Sequence, residues 1–197
     1  MNLSKLWKPL VILSAAAASP AAAATQQVDV KTNLGTIRLE LYPSKAPKTV
    51  ANFLQYVRES HYNGTIFHRV IGGFMIQGGG FDAGYHQKPT HAAIPNEAQA
   101  GVKAGLKNDT GTIAMARTSD PNSATAQFFI NLADNAFLNW GDPRGDGNGY
   151  AVFGKVVSGF DVVTKIAGTP TGRGGPFASD VPRDPVVIES MTLVDGK

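Results

Sequence analysis

Short alternating apolar runs, each closed by a Gly-rich or Pro-rich break, constrain this chain more than any other feature. Val28–Thr32 alternates Val, Asp, Val and Lys, and Ile37–Leu41 alternates Ile, Arg, Leu, Glu and Leu. A period of two sends successive side chains to opposite faces, so each run buries one face and wets the other. Asn33-Leu34-Gly35 between them is a tight turn, which makes the pair a hairpin. The same reading predicts strands at Ile66–Val70, Phe74–Gly78, Thr112–Ala116, Gln127–Asn131, Val152–Val157 and Val186–Leu193. With 22 Gly and 12 Pro spread over 197 residues, the pattern argues against a helical bundle and for a barrel or sandwich.

Two helices interrupt the strands. One starts at Pro47, a residue suited to the first helical position, and carries Val50, Phe53, Leu54 and Val57 as an i, i+3, i+4, i+7 stripe. The other is short, about Asp161–Ile166, with Val162, Val163 and Ile166 inward. Two helices cannot cover both faces of so large a sheet, but they can plug the open ends of a barrel.

The first 24 residues read as an address. Lys5 and Lys8 precede the apolar stretch Leu10–Ala18, Ser19-Pro20 breaks it, and Ala21–Ala24 supplies the small residues before a cleavage site. That order is a secretory signal peptide, residues 1–24, cleaved after Ala24. The apolar stretch is far shorter than the roughly 20 residues that span a bilayer, so no membrane association is expected after cleavage. Removing two lysines and no acid leaves 16 basic against 15 acidic side chains, a net charge near +1 in place of +3. No Lys/Arg cluster remains to suit a phosphate backbone, which argues against nucleic acid. Zero Cys excludes disulfides, thiol nucleophiles and cysteine-ligated metals.

Most catalytic patterns are missing. His61, His68, His86 and His91 form no H-E-x-x-H pair, and no G-x-S-x-G or Walker loop occurs. Gly141–Gly149 lacks the rhythm and closing Glu of a calcium loop and reads as a solvated loop whose role is open. Phe67–Gly79 is more unusual: Arg69 sits inside an apolar strand, a Gly pair follows, and Met75 and Gln77 share one strand face with Phe74 and Ile76 on the other. Arg69 alone is more often a strand residue with a carboxylate partner, and Met75 alone more often fills a core. Gln127, Phe129 and Asn131 repeat the mixture on one face, which suits a groove with an apolar floor and amide groups along its wall.

Phe67–Gly79, with Met115-Ala116-Arg117, Ser123–Asn131 and Val152–Val156, resembles the cyclophilin-type peptidyl-prolyl cis–trans isomerases from about Val28 to Val194. F-H-R-x-I-x-G-F-M-x-Q-G-G is a highly specific pattern, and Q-F-F-I and V-F-G-K-V accompany it in the family's order. With its leader the chain is similar to the secreted, periplasmic bacterial branch. The resemblance implies a mainly β fold, a closed eight-stranded antiparallel β-barrel capped by two α-helices, over residues 25–197. It implies an isomerase of X–Pro bonds that assists the folding of exported proteins as a monomer. Proline-containing polypeptides are the partners, and neither cofactor nor metal is needed.

Arg69 falls on the family's catalytic Arg, and Phe74, Met75, Phe129 and Leu138 on the apolar pocket for the proline ring. Gln77 falls on the polar residue beside the Arg, Ala116 and Gln127 on the substrate groove, and Arg117 on a groove position where many relatives have Asn. Phe137 stands where many relatives place a pocket-edge Trp, and Tyr150 where they place His. Both keep an aromatic ring, which implies retained activity but weak binding of cyclosporin, a ligand that leans on the Trp.

The chemistry suits these residue types without a proton relay. Rotating an X–Pro amide crosses about 18–20 kcal/mol because resonance must break. At the twisted state the carbonyl loses negative character and the prolyl nitrogen regains a lone pair, so an apolar pocket and a permanent guanidinium donor both favour it. One charge-assisted bond contributes about 1.5–3 kcal/mol, whereas a millionfold acceleration needs roughly 8. Ring anchoring must supply much of the rest. Two other classes fit less well: a non-catalytic module that holds Pro-containing peptides, and a metal-dependent hydrolase using Asp142, Asp146 and a nearby His.

Overall fold

The computed structural model describes residues 25–194, so the leader predicted at residues 1–24 lies outside the described residues. The alternation seen at the start of the chain forms a hairpin, β1 (Gln26–Thr32) and β2 (Gly35–Leu41). Val28 faces Leu39 and Val30 faces Ile37 across it, all buried. Asp29 and Arg38 pair on the opposite face at 2.7 Å.

Six more strands extend this sheet: β3 (Arg69–Ile71), β4 (Met75–Gly78), β5 (Thr112–Met115), β6 (Phe128–Asn131), β7 (Val152–Ser158) and, after a short ribbon, β10 (Ile188–Val194). Their order is β10-β1-β2-β7-β5-β6-β4-β3, with every pairing antiparallel. The edges meet without a full ladder. Among the described residues closure rests on the bridge Ile66–Val187, flanked by Phe67 N–H to the Val186 carbonyl at 3.0 Å and Ile188 N–H to the Thr65 carbonyl at 2.7 Å. The barrel is therefore seamed at one point, because β3 is only three residues long and its run turns away after Ile71.

Helix α1 (Pro47–Arg58) buries its predicted stripe, and Phe53 meets Tyr62, Phe128 and Phe153 at centroid distances of 5.2, 5.8 and 5.1 Å. No side chain next to Pro47 caps the helix. The Glu97 carboxylate does so from far along the chain, accepting from Lys48 N–H at 3.2 Å and Thr49 N–H at 2.8 Å, where the helix dipole favours an anion. Helix α3 (Phe160–Ala167) buries Val162, Val163 and Ile166 against β2, β3 and β4.

Two features lie outside the predicted set. The six-residue helix α2 (Ala98–Lys103) contains Gly101, a poor helix former. The ribbon of β8 (Thr171–Gly174) and β9 (Phe177–Pro182) lies on the surface and shows little apolar alternation. Phe177 anchors it, packing on Phe81 at 5.1 Å and His68 at 5.3 Å.

Gly154 in the V-F-G-K-V block shows why a motif glycine is needed. A Cβ there would stand 2.4 Å from the Glu40 carbonyl oxygen and 2.9 Å from Leu41 Cδ2, inside the β2–β7 ladder. The Glu40 carbonyl cannot yield without breaking the ladder, so Gly154→Ala is expected to destabilise the fold by about 2 kcal/mol. Urea titration checks this, and an unchanged midpoint contradicts it.

Candidate active site

Sheet register assembles the site. Val70, Ile76, Ile130 and Ile113 occupy one row across β3, β4, β6 and β5, and all four are buried inside the barrel. The next row, one residue along each strand, is Arg69, Gln77, Phe129 and Ala114, and it faces outward. Arg69 thus lies two strands from Phe129 with only Gln77 between. Met75, Phe129, Ala114, Leu106 and Val152 form a second apolar cluster on this outer face, with Phe74, Ala116, Leu138 and Tyr150 packed around it.

The cluster is hollowed by an open cavity of about 190 Å³ lined by Arg69, Phe74, Met75, Gln77, Ala116, Arg117, Phe129, Leu138 and Tyr150. Arg69 is exposed, and its guanidinium donates from Nη1 to Gln77 Oε1 at 3.5 Å. Among the described residues no carboxylate pairs with it. The alternative of an Arg neutralised by a neighbouring acid does not apply. Gln77 Nε2 donates to Gln127 Oε1 at 3.0 Å, which turns the Gln77 carbonyl oxygen toward Arg69.

Four placements differ from simple strand alternation. Phe74 belongs to the turn before β4, its N–H bonded to the Ile71 carbonyl at 3.1 Å, so it reaches the same cavity as Met75 and Gln77. Gln127 lies beside the cavity, lining a contiguous polar groove of about 320 Å³ together with Gln77, Thr118 and Ser123. Phe137 is absent from the cavity lining; it is 38% exposed and stacks on Phe74 at 5.7 Å, forming the rim. Asn131 is fully buried and serves an amide network instead of a groove wall.

That network joins Asn131 to Asn108 and Asn135, two residues that sequence patterns did not single out. Asn131 Nδ2 donates to Asn108 Oδ1 at 3.2 Å, and Asn135 Nδ2 donates to Asn131 Oδ1 at 2.8 Å. Asn135 also donates to the Phe74 carbonyl at 2.9 Å, and Asn108 to the Leu138 carbonyl at 3.1 Å and the Tyr150 carbonyl at 3.3 Å. Asn108 and Asn135, from two loops, thereby fix the backbones of three cavity residues, with Asn131 at the end of β6 joining them. Only the turn chemistry of Asn marks Asn108 and Asn135 in the sequence, and it points to loops.

The two loop carboxylates each hold a guanidinium. Asp142 pairs with Arg144 at 2.7 Å, which with the Arg144 N–H keeps its pKa at about 2, and Asp146 pairs with Arg117. Both are occupied by cations, which disfavours a metal there.

A sequence model described as "Cyclophilin type peptidyl-prolyl cis-trans isomerase/CLD" matches residues 27–193. The chain belongs to the cyclophilin family. This cyclophilin is 57% identical over 166 residues to peptidyl-prolyl cis-trans isomerase B of Escherichia coli strain K12, covering 84% of this chain and 98% of the relative. It is 54% identical over 188 residues to a peptidyl-prolyl cis-trans isomerase of Acinetobacter baylyi, covering 95% and 96%. A crystal structure of a Cryptosporidium parvum cyclophilin in the presence of the dipeptide Ala-Pro superposes with TM-score 0.69 at 29% identity, covering 87% of this chain and 100% of that one. The chain is accordingly a peptidyl-prolyl cis–trans isomerase, with the cyclophilin fold and a family preference for proline-containing peptides. Among the described residues no helix is long and apolar enough to cross a membrane.

Proposed function

We propose that this cyclophilin isomerises X–Pro bonds in exported polypeptides, with Arg69 as its catalytic residue and the 190 Å³ cavity as the seat of the proline ring. The observation that carries this reading is a guanidinium, with no carboxylate partner among the described residues, that opens onto the same apolar dimple as Phe129. Phe74, Met75, Phe129 and Leu138 offer the ring a floor without hydrogen-bond partners. That surroundings favour the less polar, twisted imide over the planar one. Arg69 donates to the prolyl nitrogen as its lone pair returns, or steadies the turning carbonyl. Gln77, its orientation set by Gln127, keeps the guanidinium aimed.

The polar groove beside the cavity supports a grip on the residues flanking the proline. It shares Gln77, Ala116 and Arg117 with the cavity and presents mainly hydroxyl and amide groups, which bond to backbone with little regard for sequence. The n-region, apolar stretch and small residues ending at Ala24 support export. Isomerisation of an X–Pro peptide by the wild-type chain and by Arg69→Ala tests the reading.

Cyclosporin is expected to bind weakly. Phe137 at the rim lacks the indole N–H and ring area of a Trp. Installing them through Phe137→Trp is expected to tighten binding about tenfold, the worth of one hydrogen bond and added contact. Inhibitor titration of both chains measures this; equal affinities would remove Phe137 as the determinant.

A further inference from the structure

Arg117 presents an unusual burial. Its side chain is 3% exposed, and a cation so enclosed requires compensation on all sides. Nε and Nη2 both donate to the Gly149 carbonyl, at 3.2 and 3.0 Å, Nη1 donates to the Thr118 carbonyl at 2.9 Å, and Asp146 supplies the one negative charge. The guanidinium then lies 4.2 Å over the Tyr150 ring, which meets Phe129 edge-on at 5.6 Å.

Asp146 also shapes the turn that delivers Tyr150. Its second oxygen accepts from Asn148 N–H at 3.0 Å and Gly149 N–H at 3.1 Å. Gly149 sits at φ +67°, and a Cβ there would lie 2.3 Å from the Trp140 nitrogen, so the turn admits no other residue. From it Tyr150 N–H donates to the Leu138 carbonyl at 2.9 Å, which joins two walls of the cavity.

We propose that Asp146, which does not line the cavity, is a positioning residue of the isomerase: it holds the Arg117 guanidinium over the Tyr150 ring and so fixes the cavity wall that the proline ring meets. This gives the Gly141–Gly149 loop a role in substrate binding, and it rests on the reading of the cavity as the proline seat. The wall touches ground state and transition state alike, so its loss appears in KM and leaves kcat.

The test is steady-state isomerisation of an X–Pro peptide over a range of concentrations, using the full chain. Asp146→Asn removes the charge that opposes Arg117 and is expected to raise KM on the order of five- to tenfold with kcat within about twofold. Arg117→Ala is expected to do the same, and the double variant to do no more than Arg117→Ala alone, since the two act as one unit. Asp142→Asn, which breaks the loop's other ion pair, is expected to keep the wild-type KM. An unchanged KM in Asp146→Asn overturns the proposal, as does an equal rise in Asp142→Asn. Partial unfolding lowers apparent kcat at constant KM, and that outcome overturns it too. Arg69→Ala separates the layers: if it loses kcat while Asp146→Asn keeps its KM, only the positioning role fails. If Arg69→Ala keeps kcat, the reading of the site itself fails.

Discussion

Arg69→Ala is expected to lower kcat about a hundredfold on an X–Pro peptide, with its melting temperature close to that of the wild type. The size follows from the bond removed: a charge-assisted hydrogen bond present only at the twisted imide contributes about 1.5–3 kcal/mol, and each 1.4 kcal/mol is tenfold in rate. The fold survives because the side chain is exposed and, among the described residues, pairs with no acid and bonds Gln77 alone, at 3.5 Å. Arg69→Lys is expected to recover part of the rate, since an ammonium keeps the charge without the planar fork. Residual activity also has a physical source. Phe74, Met75, Phe129 and Leu138 still offer the twisted imide an apolar seat, so the variant remains faster than the uncatalysed exchange of tens to hundreds of seconds. A variant with wild-type kcat would show that the pocket alone does the chemistry.

The second large effect is on stability in mild acid. His68 is buried between the rings of Phe81 at 4.7 Å and Phe177 at 5.3 Å, and its Nδ1 has no hydrogen-bond partner among the described residues. Burial first, and the neighbouring Arg69 charge second, push its pKa down from 6.5 to about 4. His61 shifts in the same direction, again mainly through burial. A histidine that protonates more readily in the unfolded chain contributes stability that is whole above pH 6.5 and is lost as pH falls toward 4. The His68 shift corresponds to about 3 kcal/mol over that window. Asp29, Asp82, Asp134 and Asp142 are lowered below 3.8 by their partners, so their losses begin below the histidine window. Denaturant unfolding at pH 6.5 and pH 4 reads the difference, and His68→Phe is expected to remove most of it. Equal losses in the two chains would assign the acid sensitivity elsewhere.

His68 and Arg69 also show how unevenly the site could be read. In F-H-R the three neighbours have three fates: Phe67 in the core, His68 beneath the β8–β9 ribbon, and Arg69 in the open. Alternation puts one of two strand neighbours outside, so it does not reveal that His68 and Arg69, adjacent in sequence, both leave the core, one beneath a surface ribbon and one in the open. The same limit explains Phe74, which alternation assigns to the face opposite Met75 and the preceding turn returns to it. Asn108, Asn131 and Asn135 resemble ordinary loop and strand-end residues until they are seen bonding one another.

The amino-acid sequence alone determined the strand periods, the β1–β2 hairpin, the stripes of α1 and α3, and the ordered blocks that carry the family resemblance, because each depends on residues near one another along the chain. Tertiary structure alone decided that residues 69, 77, 129 and 150 surround one cavity, that among the described residues the barrel edges meet at the bridge Ile66–Val187, and that Glu97 caps a helix whose Thr49 lies 48 residues before it. It also decided that Asp146 reaches Arg117. These are consequences of register and wrapping: moving one strand by one residue would keep every local pattern and exchange the cavity for the core.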